Sequence, residues 1–266
     1  ATAAAQRFVE RFPQHPRAAQ NRYALGVAQA RGGDPKAARK TLADLAKSGG
    51  HPRADLVAYE LAWACRRDGD EAAALAAFAQ VVATSKDVDL AGEARLHLGT
   101  AALAKNDLAA ARTQLGAVQG RHRGRALYQL AFAEFDGGKQ DRKRLQAARD
   151  LCAQVAAIEG EELAPEALYL GAESCLSLED RRGAAERLTA LLKQAPQHER
   201  APRARLLLGE CAVALGDGDA AVAPLEQFLR DKPDKALAAR AQLALGRARL
   251  LRGEHDRAEQ ALGAAI

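Results

Sequence analysis

Apolar and polar positions repeat along the chain. Leu-Gly or Leu-Ala pairs recur as Leu25-Gly26, Leu61-Ala62, Leu98-Gly99, Leu130-Ala131, Leu170-Gly171, Leu208-Gly209 and Leu245-Gly246, with second members spaced by 36, 37, 32, 40, 38 and 37 residues. A period of this length marks an array of stacked repeats. Seven to eight residues after most pairs stands a polar dipeptide: Gly33-Asp34, Gly69-Asp70, Asn106-Asp107, Gly138-Lys139, Glu179-Asp180, Gly216-Asp217 and Gly253-Glu254. Such dipeptides stop one helix and open another. Twelve residues after five of the pairs come Ala38, Ala74, Ala111, Ala221 and Ala258, followed four later by Leu42, Phe78, Leu115, Leu225 and Leu262. That i, i+4 spacing lies on one helix face.

Each unit therefore predicts a helix A, a tight turn, a helix B and a loop. The next unit often starts with proline, as in His15-Pro16, His51-Pro52, Ala164-Pro165 and Ala201-Pro202, where the missing N–H costs nothing. The expected units run near 17–52, 53–89, 90–121, 122–159, 163–198, 200–234 and 235–266, in one continuous superhelix. Residues 1–12 read as helix B of a truncated unit, and Arg257 to Ile266 as a helix B cut short. A chain without Met and with an unfinished repeat at each end is expected to be an excerpt of a longer array.

Several of these positions coincide with a known pattern: Leu-Gly, a small residue two later (Ala28, Ala64, Ala101, Ala133, Cys211, Ala248), Gly-Asp at the turn, then Ala and Leu or Phe in helix B. In this the chain resembles the tetratricopeptide repeat family over nearly its whole length. The resemblance implies an all-α, right-handed α-solenoid of about seven helix-turn-helix repeats that binds other proteins and catalyses nothing. The chain departs from the family in a period longer than about 34 residues, and in having Arg, Ala or Leu where a bulky residue opens helix A. Its fifth unit reads as having one extra turn residue, which would shift Gly183 into the small site. The proline-bearing loops Phe12-Pro13-Gln14-His15-Pro16-Arg17 and Ala195-Pro196-Gln197-His198-Glu199-Arg200-Ala201-Pro202 resemble those of bacterial envelope scaffolds of the Tol-Pal coordinator and outer-membrane assembly lipoprotein type. That likeness implies a periplasmic or envelope setting over a cytoplasmic one.

Composition narrows the class. With 48% hydrophobic and 27% charged residues the chain is globular, and an aromatic share of 4% leaves alanine to fill the interior. Close helix packing suits alanine; sandwiches and barrels need bulkier layers. No apolar run reaches the ~18 residues of a membrane span. The motifs HExxH, GxSxG and GxxxxGK[ST] are absent, and Gly216-Asp217-Gly218 follows a helical run where a dinucleotide fingerprint would follow a strand. His15, His51, His97, His122, His198 and His255 read as solvated loop residues of different units, and Glu161-Glu162 as a solvated pair without an apolar pocket. No catalytic residue, metal ligand or cofactor is expected, nor a small-molecule substrate. Cys65, Cys152, Cys175 and Cys211 lack CxxC spacing and read as buried thiols, with a Cys152–Cys175 disulfide as the alternative.

Two surfaces could bind a partner. In stacked hairpins the A helices line the concave side. Groove positions fall one residue after each pair and three or four to either side: Tyr23, Val27, Tyr59, Trp63, Arg66, Leu96, Thr100, Tyr128, Phe132 and Phe135, then Leu168, Ala172, Cys175, Leu206, Glu210, Leu243 and Arg247. Six of the eleven aromatic residues stand there, as anchors for a peptide or as filling between A helices. The family's clamp for a C-terminal carboxylate places Asn just after the pair; Val27, Trp63, Thr100 and Phe132 stand there instead, which argues against that ligand. The net charge of +5 arises wholly within residues 121–149, where eight basic residues face three acidic ones and the remainder balances at 31 against 31. Arg121, Arg123, Arg125, Arg142, Lys143 and Arg144 form a basic patch, or a solvated helix face. The expected function is a non-enzymatic scaffold holding a protein or peptide in its concave groove. Two alternatives stay open: binding of an anionic surface or nucleic acid by the basic unit, and service as the repeat region of a larger enzyme. No aromatics interleave with the arginines as a single-strand platform requires, which disfavours nucleic acid.

Overall fold

The computed structural model describes residues 2–138 and 141–265; Ala1, Lys139, Gln140 and Ile266, which fall within the expectations above, lie outside the described residues. These residues form fifteen α-helices, one 3-10 turn and no strand. The chain comprises two compact units, one up to Ala126 and the other from Leu127 on.

The first unit contains α1 (Thr2–Arg11), α2 (Ala18–Arg31), α3 (Pro35–Ser48), α4 (Ala54–Arg67), α5 (Glu71–Thr84), α6 (Val88–Ala104), α7 (Leu108–Gly116), the 3-10 turn Gly120–His122 and the first residues of α8 (Arg123–Asp136). The second contains the rest of α8, α9 (Arg142–Ala156), α10 (Ala164–Ser177), α11 (Arg181–Gln194), α12 (Ala201–Ala214), α13 (Gly218–Arg230), α14 (Lys235–Leu251) and α15 (His255–Gly263). After α1, which packs on α2, the helices pair as seven successive hairpins, and within each unit a hairpin packs on the next. The all-α repeat architecture thus follows the period read from the sequence.

The turn dipeptides explain why each hairpin bends where it does. Gly33, Gly69, Asn106, Glu179, Gly216 and Gly253 all have positive φ, between 56° and 85°, the left-handed conformation that closes a helix C-terminus. The aspartate that follows caps the next helix. Asp34, Asp70, Asp107, Asp180 and Asp217 each accept a hydrogen bond from the backbone N–H three residues on, at 2.9–3.0 Å. One dipeptide therefore ends helix A and starts helix B, each cap contributing ~1 kcal/mol. At the crossing of the two helices, a Cβ at Gly26, Gly99, Gly209 or Gly246 would collide with Leu42, Leu115, Leu225 or Leu262. Glycine there sets how closely the helices approach.

The fifth hairpin corrects the sequence reading. Helices α10 and α12 open identically, at Ala164-Pro165 and Ala201-Pro202, and their partner helices are capped at Asp180 and Asp217, the same distance on. No extra residue is present. The pair equivalent to Leu208-Gly209 is Gly171-Ala172, not Leu170-Gly171. Gly183 does not fill the small site: its N–H caps on Asp180, while Ala184 and Leu188, both fully buried, take the packed positions. Cys65, Cys152, Cys175 and Cys211 are buried and unbridged, and burial pushes the thiols of Cys152 and Cys211 up to about 12 and about 11.

Candidate functional site

In the first unit, α4 and α6 bring Tyr59, Trp63, Arg66, Glu93 and His97 together over Phe78 of α5. Phe78 is fully buried. Trp63 meets the Phe78 ring edge-on at 5.9 Å and the His97 ring at 5.0 Å, and His97 stacks on Phe78 at 4.7 Å. The Arg66 guanidinium lies 5.5 Å from the Trp63 ring centre and 5.4 Å from that of Phe78. Its Nε and Nη2 donate to the two carboxylate oxygens of Glu71 at 3.2 and 2.8 Å. Nη1 lies 2.9 Å from His97 Nδ1. A guanidinium only donates, so Nδ1 accepts and the imidazole proton sits on Nε2. Burial, reinforced by the Arg66 charge, holds His97 below the ordinary imidazole value. Tyr59 donates its hydroxyl to Glu93 at 2.9 Å, and burial pushes its pKa up to about 12.

The other groove positions of this unit are simpler. Tyr23 is half-buried against the His51 ring at 4.8 Å, and Val27 is half-buried. Thr100 is exposed with its hydroxyl donating to Leu96 O at 2.8 Å, whereas Leu96 itself is buried in the helix packing. In the second unit Tyr128 and Phe135 are half-buried on the core between α8, α9 and α10, while Phe132 is 54% exposed. Ala172, Cys175 and Leu206 are buried and line no surface. For the first two the cause is the register of the fifth hairpin. One residue is about 100° around a helix, so the corrected pair puts Tyr169, Glu173 and Leu176 on the A-helix face instead. Tyr169 carries the Arg200 guanidinium over its ring at 5.4 Å, and burial raises both its pKa and that of Glu173.

The basic positions fall in both units. In the first unit Arg121 donates to His122 at 3.1 Å, Arg123 to Val118 O at 3.3 Å, and Arg125 is exposed. In the second, Arg142 reaches Leu178 O at 3.4 Å and Lys143 is exposed. Arg144 pairs with Glu134 at 3.1 Å and also donates to Ala133 O at 2.7 Å. Glu134 is only 1% exposed, so Arg144 neutralises a buried carboxylate.

Three of the histidines differ from the solvated loop residues expected of them. His97 lies inside α6, and His122 and His198 are largely covered, His198 within 3.1 Å of Glu166. His15, His51 and His198 share a local device: each Nδ1 accepts the N–H of the arginine two residues on, Arg17, Arg53 or Arg200, at 3.1–3.2 Å. The repeated His-x-Arg spacing was the available sign of this. No three His, Cys, Asp or Glu side chains cluster as metal ligands among the described residues, and none of the described helices is long and apolar enough to cross a membrane.

A tetratricopeptide repeat profile matches residues 1–48, 23–89, 169–236 and 212–266, more than half the sequence. The chain belongs to the tetratricopeptide repeat family. Among solved structures it is similar to MamA, with a TM-score of 0.51 and 18% identity over 65% of this chain and 89% of that one. It is also similar to a tetratricopeptide repeat protein from Parabacteroides merdae, with a TM-score of 0.49 and 13% identity over 93% of this chain and 91% of that one. At such identities the likeness speaks of fold alone. Among curated proteins none matches this sequence. The profile leaves out residues 90–168, the stretch containing the short α7 and the fourth hairpin.

Proposed function

We propose that the chain is a non-enzymatic scaffold that holds a peptide or protein partner along the A-helix faces, and that it serves in a bacterial envelope assembly. The observation that carries the reading is membership of a repeat family whose proteins are generally interaction scaffolds. The half-buried aromatic and arginine side chains of α4 and α6 support the groove as the contact surface, since Trp, Tyr and Arg dominate interface energetics. The envelope setting rests on the proline-bearing loops 12–17 and 195–202 and their resemblance to envelope scaffolds. The half-buried Tyr23, Val27, Tyr128 and Phe135 and the exposed Thr100 and Phe132 extend the proposed contact along the A helices.

A photo-crosslinking residue at Thr100 or Phe132, both exposed on A helices, tests this in cells, with Ala109 on α7 as the helix-B control. The reading expects a discrete crosslinked partner from positions 100 and 132 and none from 109. Equal crosslinking from all three positions would contradict it.

A further inference from the structure

The second unit holds a cleft of about 460 Å³ between the end of α10, the start of α11, α12 and α14. Its apolar lining comes from Leu176, Leu207 and Cys211, with Leu243 at the rim, 41% exposed. Three guanidiniums, Arg181, Arg240 and Arg247, face one carboxylate, Glu210. Arg240 holds Glu210 through both Nε and Nη2, so that pair is neutral. Arg181 and Arg247 are exposed, and neither side chain makes a hydrogen bond or ion pair with another described residue. The cleft is therefore an aliphatic surface carrying two unpartnered positive charges on two different helices.

From this we infer that the cleft binds an acidic, aliphatic segment of a partner protein, with two side-chain carboxylates on Arg181 and Arg247 and a leucine-like side chain between them. The charge sign excludes a cation, and guanidinium forks match carboxylates bidentately. Two arginines on two helices offer forks for two anionic groups, of which a single terminal carboxylate supplies one. No aromatic ring lines the cleft to stack a base, which favours a peptide over nucleic acid. A cleft of this size lies within the usual range for ligand sites, ~300–1,000 Å³, and accommodates one or two side chains with their backbone. Glu210, Leu243 and Arg247 stand among the groove positions, so the inference rests on the scaffold reading; its test reads peptide binding at this cleft and the crosslinking reads positions 100 and 132, so the two can fail separately.

The intact chain is titrated by fluorescence anisotropy with acetylated, amidated peptides in which two glutamates are separated by one to four leucines. Each peptide is paired with a counterpart carrying glutamines. The expected result is at least one acidic peptide binding ten-fold or more tighter than its glutamine counterpart, with affinity falling as salt rises. Arg181→Gln together with Arg247→Gln should erase that difference, and Leu243→Ser should weaken binding several-fold, both with an unchanged thermal melt because the side chains are exposed. The proposal is overturned if no acidic peptide exceeds its glutamine counterpart, if the double variant binds like the wild type, or if oligothymidylate competes as well as the peptide does.

Discussion

The A-helix faces of the two units are built from the same repeat and end in different states. On α4 and α6 of the first, the charged and aromatic groups satisfy one another: Arg66 is held by Glu71, His97 and two rings, and Tyr59 by Glu93. Around the cleft of the second, one pair, Arg240 with Glu210, is complete, while Arg181 at the start of the neighbouring B helix α11 and Arg247 on α14 face solvent over leucines. A residue type that marks interfaces thus has opposite meanings depending on whether a neighbouring hairpin supplies its partner. Groove aromatics stand in both units, and the largest ring, Trp63, is half-buried against Phe78. The two unpaired guanidiniums that line a cleft, Arg181 and Arg247, are in the second.

The strongest way to break the comparison is to empty the first cluster. Phe78→Ala removes the ring on which Trp63, His97 and Arg66 all rest and should cost about 3–5 kcal/mol, the range for a fully buried aromatic. Urea denaturation checks the loss. Trp63 emission should shift to the red, while hydrogen exchange in α12 to α14 stays unchanged, since each repeat depends on its neighbours.

Next comes an arginine of the second unit that does have a buried partner. Arg144→Leu removes a guanidinium partner of the buried Glu134 and should destabilise by about 3 kcal/mol, whereas Arg247→Leu should change stability by less than about 0.5 kcal/mol. Equal effects in thermal melts would erase the distinction between a paired and an unpaired guanidinium.

A smaller effect of opposite sign is expected at the turn beside the cleft. Glu179 has φ +66° where Gly69 serves in the first unit. A side chain in that conformation costs ~1–2 kcal/mol, and glycine's extra unfolded-state freedom returns ~0.4–1. Glu179→Gly should therefore stabilise by about 0.5–1 kcal/mol, measured as a raised urea midpoint, and Gly69→Glu should do the reverse.

The gentlest probe is pH. His97 is held below its ordinary value of 6.5, chiefly by burial and then by Arg66. Below pH 6.5 the unfolded chain takes up a proton that the folded one refuses, so this contribution to stability is complete above pH 6.5 and is lost as pH falls toward the folded value. His97→Gln should flatten the stability profile of the first unit in that window. An unchanged slope would mean that His97 titrates normally.

Much of this was legible in the sequence, for local reasons. Gly-Asp and Asn-Asp dipeptides encode a left-handed closure followed by a cap, both of which depend on residues within a turn of one another, so hairpin positions followed directly. The fifth register was lost because Leu170-Gly171 satisfies the same two-letter pattern one residue early, and only the distance from Ala164 to Asp180 distinguishes the two. Arg66 on His97 and Arg144 on Glu134 were not legible, because the pairings depend on which rotamers neighbouring helices leave open. The contact of Arg142 with Leu178 O was not legible for the same reason.

The contrast between a completed and an open arginine face is tested most directly by the guanidinium Nε–Hε groups of the free protein, observed by NMR. Arg66 should give a resolved resonance with slow solvent exchange, held by Glu71, and Arg181 and Arg247 should exchange rapidly. If Arg66 exchanges as fast as Arg247, or if Arg181 and Arg247 are as protected as Arg66, the two faces are alike and the account is contradicted.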